Sequence, residues 1–84
     1  MSEINALDQL SIGHSGTVKS IIAEPTLHRR LLEMGLTRGV LCTVLRRAPL
    51  GDPITVRVRG YQLSLRADQA RAIQVTCLAG GGVS

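Results

Sequence analysis

The chain has almost no aromatic side chains: Tyr61 stands alone, without tryptophan or phenylalanine, among 84 residues. Leucine, isoleucine and valine must therefore build the core. The same lack removes the stacking platforms on which single-stranded nucleic acid usually rests. Lysine is nearly absent as well, because every cation except Lys19 is an arginine. There are only two cysteines, Cys42 and Cys77, far apart in sequence and each within a strand-like apolar pattern. Such cysteines act as small buried hydrophobes. Met1 leads into a polar stretch with neither a basic n-region nor an apolar h-region. No window approaches the roughly 18 consecutive apolar residues of a membrane span. A cytoplasmic protein with reduced thiols is expected.

Catalytic motifs are missing too. No nucleotide-binding glycine loop, nucleophile elbow or paired-cysteine metal motif occurs. The six carboxylates are scattered singly, which argues against paired acid–base chemistry and against a hard-cation site. His14 falls in a turn, and His28 lies beside Arg29 and Arg30, a poor setting for a metal ion. A composite site from His14, His28 and the cysteines stays open at this level. The chain reads as a binding protein and not as an enzyme. No cofactor is expected, and weak binding of a divalent metal is the most its ligands allow.

What is present points to one small β domain. Eighty-four residues suffice for a single domain. A chain of this length buries roughly 60–65% of its unfolded surface, enough for one core but not for a deep cavity. Apolar residues make up 44% of the chain, and the net charge is +4. That charge favours an acidic partner, a phosphate group or an anionic surface, unless it is ordinary surface.

Residues 1–6 read as a frayed terminus, and Gly13-His14-Ser15-Gly16 as a turn. Thr17 to Ile22 follows as a β-branched strand. Pro25 to Met34 is the one convincing helix: proline suits its first position, and Glu24 or Thr26 supplies the cap. Leu27, Leu31 and Met34 form an apolar stripe at i, i+4 and i+7, and Gly35 closes the end in the left-handed conformation. Val40 to Arg47 is a further strand. Ile54, Val56 and Val58 alternate with Thr55, Arg57 and Arg59, and after Gly60 the segment Tyr61 to Arg66 alternates again, so the two read as a hairpin. A helical turn at Asp68–Arg71 precedes a last strand at Ile73 and Val75. The expected fold is a small, partly open, SH3-like five-stranded barrel over residues 1–78, with a flexible glycine-rich tail at 79–84.

Two features invite function. Arg57 and Arg59, with Arg66 on the neighbouring strand, share a face that is either a phosphate-contacting patch or merely the solvated side of the hairpin. Ala48-Pro49-Leu50-Gly51-Asp52-Pro53 is stiffened by a proline near each end, so little entropy is lost when it docks. Asp52 suits a bond to a nearby backbone N–H. Leu50 either caps the end of the barrel or is the apolar tip of a preformed recognition loop.

Arg30-Leu31-Leu32-Glu33-Met34-Gly35-Leu36 is followed by Gly39 and then by Ala48 to Pro53. Arg59-Gly60-Tyr61, Leu63-Ser64-Leu65-Arg66, Ala70, Ile73 and Val75 come after them. In order and spacing these segments, spread over residues 7–77, resemble the FeoA family, small cytosolic proteins of bacterial ferrous-iron uptake. Arg38 departs from the proline the family often has. The resemblance implies an accessory of FeoB, the membrane GTPase that transports Fe²⁺. It places the leading contact at Ala48, Pro49, Leu50, Gly51, Asp52 and Pro53, and a second at Leu31, Met34, Gly35 and Leu36. Arg46, Arg47, Arg57, Arg59 and Arg66 are the candidate phosphate or acidic-surface contacts. Of these, Arg46 and Arg47 would be the residues for an arginine finger in trans. The same barrel occurs in metal-dependent repressors, and an Fe²⁺ carrier is the third reading.

Overall fold

The computed structural model describes residues 3–77. Six antiparallel strands form one sheet: β1 (Glu3–Ala6), β2 (Ser15–Ile21), β3 (Leu41–Arg47), β4 (Ile54–Val58), β5 (Tyr61–Leu65) and β6 (Ile73–Cys77). Their spatial order is β1-β6-β2-β3-β4-β5. The helices are α1 (Pro25–Glu33), between β2 and β3, and α2 (Ala67–Ala72), before β6; a 3-10 turn spans Leu7–Gln9.

Two expectations need correction. Residues 3–6 are not frayed but form β1, paired with β6 from Glu3↔Cys77 to Ala6↔Gln74. Among the described residues the strands therefore number six and not five. The sheet is also not closed as a barrel among the described residues, because β1 and β5 remain as its two edges. The order of β1 comes from a partner some 70 residues away, which no local pattern in four residues can announce. The glycine-rich tail expected at 79–84 lies outside the described residues.

The core is aliphatic, as the composition requires. Val44, Ile54, Val56, Val58, Leu65, Ile73 and Val75 are fully buried on the inner face of the sheet, with Leu31 and Leu36 covering them. Among the described residues no polar side chain is fully enclosed with them. Cys42 joins this core, and burial pushes its thiol up from 9.0 to about 11. Between about pH 9 and pH 11 the unfolded chain releases that proton while the folded chain retains it. Stability is therefore complete below pH 9 and falls by up to about 2–3 kcal/mol as the pH rises toward 11. Urea melts at pH 8 and pH 10.5 check this, and Cys42→Val should lessen the decline.

Helix α1 starts where Glu24 accepts hydrogen bonds from the N–H groups of Leu27 (2.8 Å) and Thr26 (3.2 Å). Of the two candidate caps, Glu24 is thus the one used. Leu27 and Met34 pack against the core beside Leu31, as the stripe requires. The helix ends at Gly35, whose φ is +100°. The Tyr61 hydroxyl donates to the Met34 carbonyl oxygen at 2.6 Å. A Cβ at residue 35 would collide with that hydroxyl. Gly35→Ala should combine left-handed backbone strain of about 1 kcal/mol with this clash. A thermal melt should show a loss of roughly 10 °C, at about 4–8 °C per kcal/mol.

The β4–β5 hairpin forms as its alternation indicates, with Val58 opposite Tyr61 across a two-residue turn. Arg59 and Gly60 both have positive φ (51° and 86°), the requirement of a tight turn that matches strand twist. Arg59 thus belongs to the turn and not to the strand.

Candidate functional site

The loop between β3 and β4 is held by the main chain at both levels. At its base the Ala48 N–H donates to the Pro53 carbonyl (3.0 Å), and nearer the tip the Gly51 N–H donates to the Ala48 carbonyl (2.7 Å). Pro49 fixes the first corner of this four-residue turn. The Asp52 carboxylate accepts from the Ala67 N–H at 3.1 Å, so the loop is also tied to the start of α2. Leu50 projects from this frame with 96% of its surface exposed. It does not cap the end of the sheet. Single exposed leucines are ordinary; this one differs in standing on a loop with little freedom left to lose.

The residues of the second expected contact are placed otherwise. Leu31 and Leu36 are both 0% exposed, so in the free protein their side chains belong to the core. They pack α1 against the sheet. Met34 and Gly35 are half-buried under Tyr61. The apolar side chain that α1 does expose is Leu32, which lines a groove of about 270 Å³ with His28, Lys19 and Arg38. Sequence reasoning missed Leu32, although it lies off the Leu27–Leu31–Met34 stripe.

The arginines separate into different tasks. A bulge between Val44 and Arg46 shifts the register of β3 against β4, so that Arg46 faces Thr55 and Arg47 faces Ile54. Arg46 is exposed. Arg47 turns inward, where its guanidinium donates to the carbonyl of Asp8 (2.8 Å) and to that of Leu10. This arginine holds the segment before β2 in place and is not free to reach a nucleotide. Arg59 donates to the Thr37 hydroxyl at 3.1 Å. With Arg57 it borders an open groove of about 480 Å³ whose apolar wall includes Leu41. Arg66 lies further along the same outer face, beside Asp52, Pro53 and Ser64. The row Thr55↔Ser64 separates it from Arg57.

Among the described residues, no three His, Cys, Asp or Glu side chains come together as a metal-holding group. The composite of His14, His28 and the cysteines is therefore not assembled. No helix among them is long and apolar enough to cross a membrane.

Residues 5–77 match the model of the FeoA domain. The chain belongs to the FeoA family. A curated FeoA relative, the Fe(2+) transport protein A/Fe(2+) transporter FeoB fusion protein of Porphyromonas gingivalis, is 32% identical over 78 residues. The match spans 93% of this chain but 9% of that relative's length. The solution structure of FeoA from Chlorobium tepidum is 47% identical and superposes with a TM-score of 0.82, over 89% of this chain and 71% of that one. FeoA of Stenotrophomonas maltophilia, solved with zinc and described as a procaryotic SH3 domain protein, gives 0.72 at 28% identity, covering 89% and 88%. A manganese-dependent transcriptional repressor gives 0.83 at 26% identity, over 93% of this chain and 44% of that one. The fold is thus SH3-like, and the family is linked to ferrous iron transport.

Proposed function

We propose that this FeoA protein is a non-enzymatic cytoplasmic accessory of ferrous iron uptake that docks on the cytosolic part of a FeoB-type transporter. The observation that carries this is the Porphyromonas relative, in which a matching segment and a FeoB transporter share one polypeptide. Two activities joined in one chain work at high effective concentration of one another, which favours a functional contact. The Ala48–Pro53 loop supplies the docking element, with Leu50 entering an apolar recess on the transporter. Its frame limits the ordering cost that weakens most loop contacts. Arg46, exposed next to the loop, adds attraction to an acidic surface.

The arginine-finger mechanism loses one of its two candidates, since Arg47 is engaged with main-chain carbonyls. The carrier reading has no assembled ligand set among the described residues to support it. The likeness to a manganese-dependent transcriptional repressor, 44% of whose length is covered, supports a shared fold used as one module of a larger protein. That use fits an accessory which biases a larger partner.

The test is uptake of radiolabelled ferrous iron by cells that carry the FeoB-type transporter with or without this chain. The expected result is severalfold slower uptake without it at equal transporter abundance. Equal uptake in both strains contradicts the proposal.

A further inference from the structure

Among the described residues, strand β5 is an edge of the sheet and only one side of its backbone is paired. The two-residue turn makes Val58 and Tyr61 a paired couple, after which hydrogen-bonding alternates along an antiparallel ladder. Tyr61, Leu63 and Leu65 thus point their N–H and C=O groups at β4, while Gln62 and Ser64 point theirs outward. Among the described residues, no other hydrogen bond engages the main chain of Gln62 or Ser64. Both residues are exposed.

Natural edge strands guard against pairing with charge, proline, bulges or a covering element. The sequence of β5, Tyr-Gln-Leu-Ser-Leu, has neither charge nor proline, and its pairing with β4 runs without a bulge. The opposite edge, β1, is shorter and passes straight into the 3-10 turn. An unguarded edge of this kind is the template for strand addition.

Charge around the edge selects what it accepts. Arg57 lies opposite Gln62 on the outer face and Arg66 follows the far end, while Arg59, at the turn, is engaged by the Thr37 hydroxyl. Asp52, the carboxylate beside Ser64 and Arg66, is already engaged by the Ala67 N–H. The inner side of the edge is apolar, since half-buried Leu63 packs on the core.

We propose that β5 takes an extended acidic segment of a partner protein as a seventh strand. The segment's main chain pairs with Gln62 and Ser64. Its carboxylates lie on the outer face toward Arg57 and Arg66, and its intervening apolar side chains lie beside Leu63. Alternating acidic and apolar residues are thus the pattern it recognises. The surface uses residues outside the Ala48–Pro53 loop, and the inference stands whichever protein docks on that loop.

The probe is a capped ten-residue peptide of alternating Glu and Val, titrated into isotope-labelled protein and followed by NMR, with a Lys–Val peptide as control. The expected result is that the Gln62 and Ser64 amides shift and exchange more slowly, with at least tenfold preference for the acidic peptide. Ser64→Pro removes one outward N–H without touching the bonds to β4, and should lower affinity at least tenfold. Arg57→Gln, which leaves the main chain intact, should lower it severalfold and flatten its salt dependence. Unchanged Gln62 and Ser64 amides, equal response to both peptides, or full binding by both variants would overturn the proposal. Protection of these amides that grows with protein concentration alone would overturn it too, because a second copy would then be the occupant.

Discussion

Leu50→Asp is expected to weaken capture of the FeoB cytosolic domain by at least about 30-fold while leaving the melting temperature within a few degrees of wild type. The two halves of that expectation have separate causes. A leucine 96% exposed in the free protein gives nothing to the core, and surface substitutions of this kind change stability by about 0.5 kcal/mol at most. If the same side chain is enclosed at an interface, its burial contributes about 1.5–3 kcal/mol. Thirtyfold corresponds to about 2 kcal/mol, and a carboxylate forced into an apolar recess raises the loss further. Leu50→Ala should therefore show a smaller deficit, about tenfold. Biolayer interferometry with immobilised cytosolic domain reads both variants. Wild-type affinity in Leu50→Asp would remove the loop from the interface.

The second large effect separates two neighbouring arginines. Arg47→Ala should cost about 3 kcal/mol, because the carbonyls of Asp8 and Leu10 lose a charged donor in a partly buried setting. At about 4–8 °C per kcal/mol this lowers the melting temperature by roughly 15 °C. Arg46→Ala, at an exposed position, should stay within about 0.5 kcal/mol of wild type. Differential scanning calorimetry of the pair decides it. Equal stability of the two variants would mean that the contacts of Arg47 do not hold the segment before β2.

These two arginines also mark the limit of what periodicity reveals. A strand read with an unbroken period of two assigns adjacent residues to opposite faces, but says nothing of where an extra residue intrudes. The bulge at Leu45 resets the phase of β3, and only the pairing with β4 reveals it. Where the signals are local, they suffice. Glu24 and Pro25, the stripe through Leu27 and Leu31, and Gly35 identify α1, and the alternation around Arg59-Gly60 identifies the hairpin. Where the cause lies far away in sequence, they fail. Strand β1 is ordered by β6, and the closure of α1 depends on Tyr61, 27 residues from Met34.

The candidate site was legible in the same uneven way. The stiffness of Ala48–Pro53 follows from its prolines, and its tie to α2 through Asp52 fits the residue's ability to bond a backbone N–H. Whether Leu50 pointed in or out was open until its surroundings were placed. At Leu31 and Leu36 the motif coincides with the core. Family resemblance does not separate residues kept for packing from residues kept for contact, and both leucines prove to be core.

The most direct test of the central claim is an NMR titration of the isotope-labelled wild-type chain with unlabelled FeoB cytosolic domain. The amides of Leu50, Gly51 and Asp52 should shift or broaden first, while those of Leu31 and Leu36 follow only as the whole spectrum responds to the larger complex. A spectrum unchanged at saturating domain would contradict docking itself. Perturbation that spares residues 50–52 and centres on another surface would contradict the assignment of the loop.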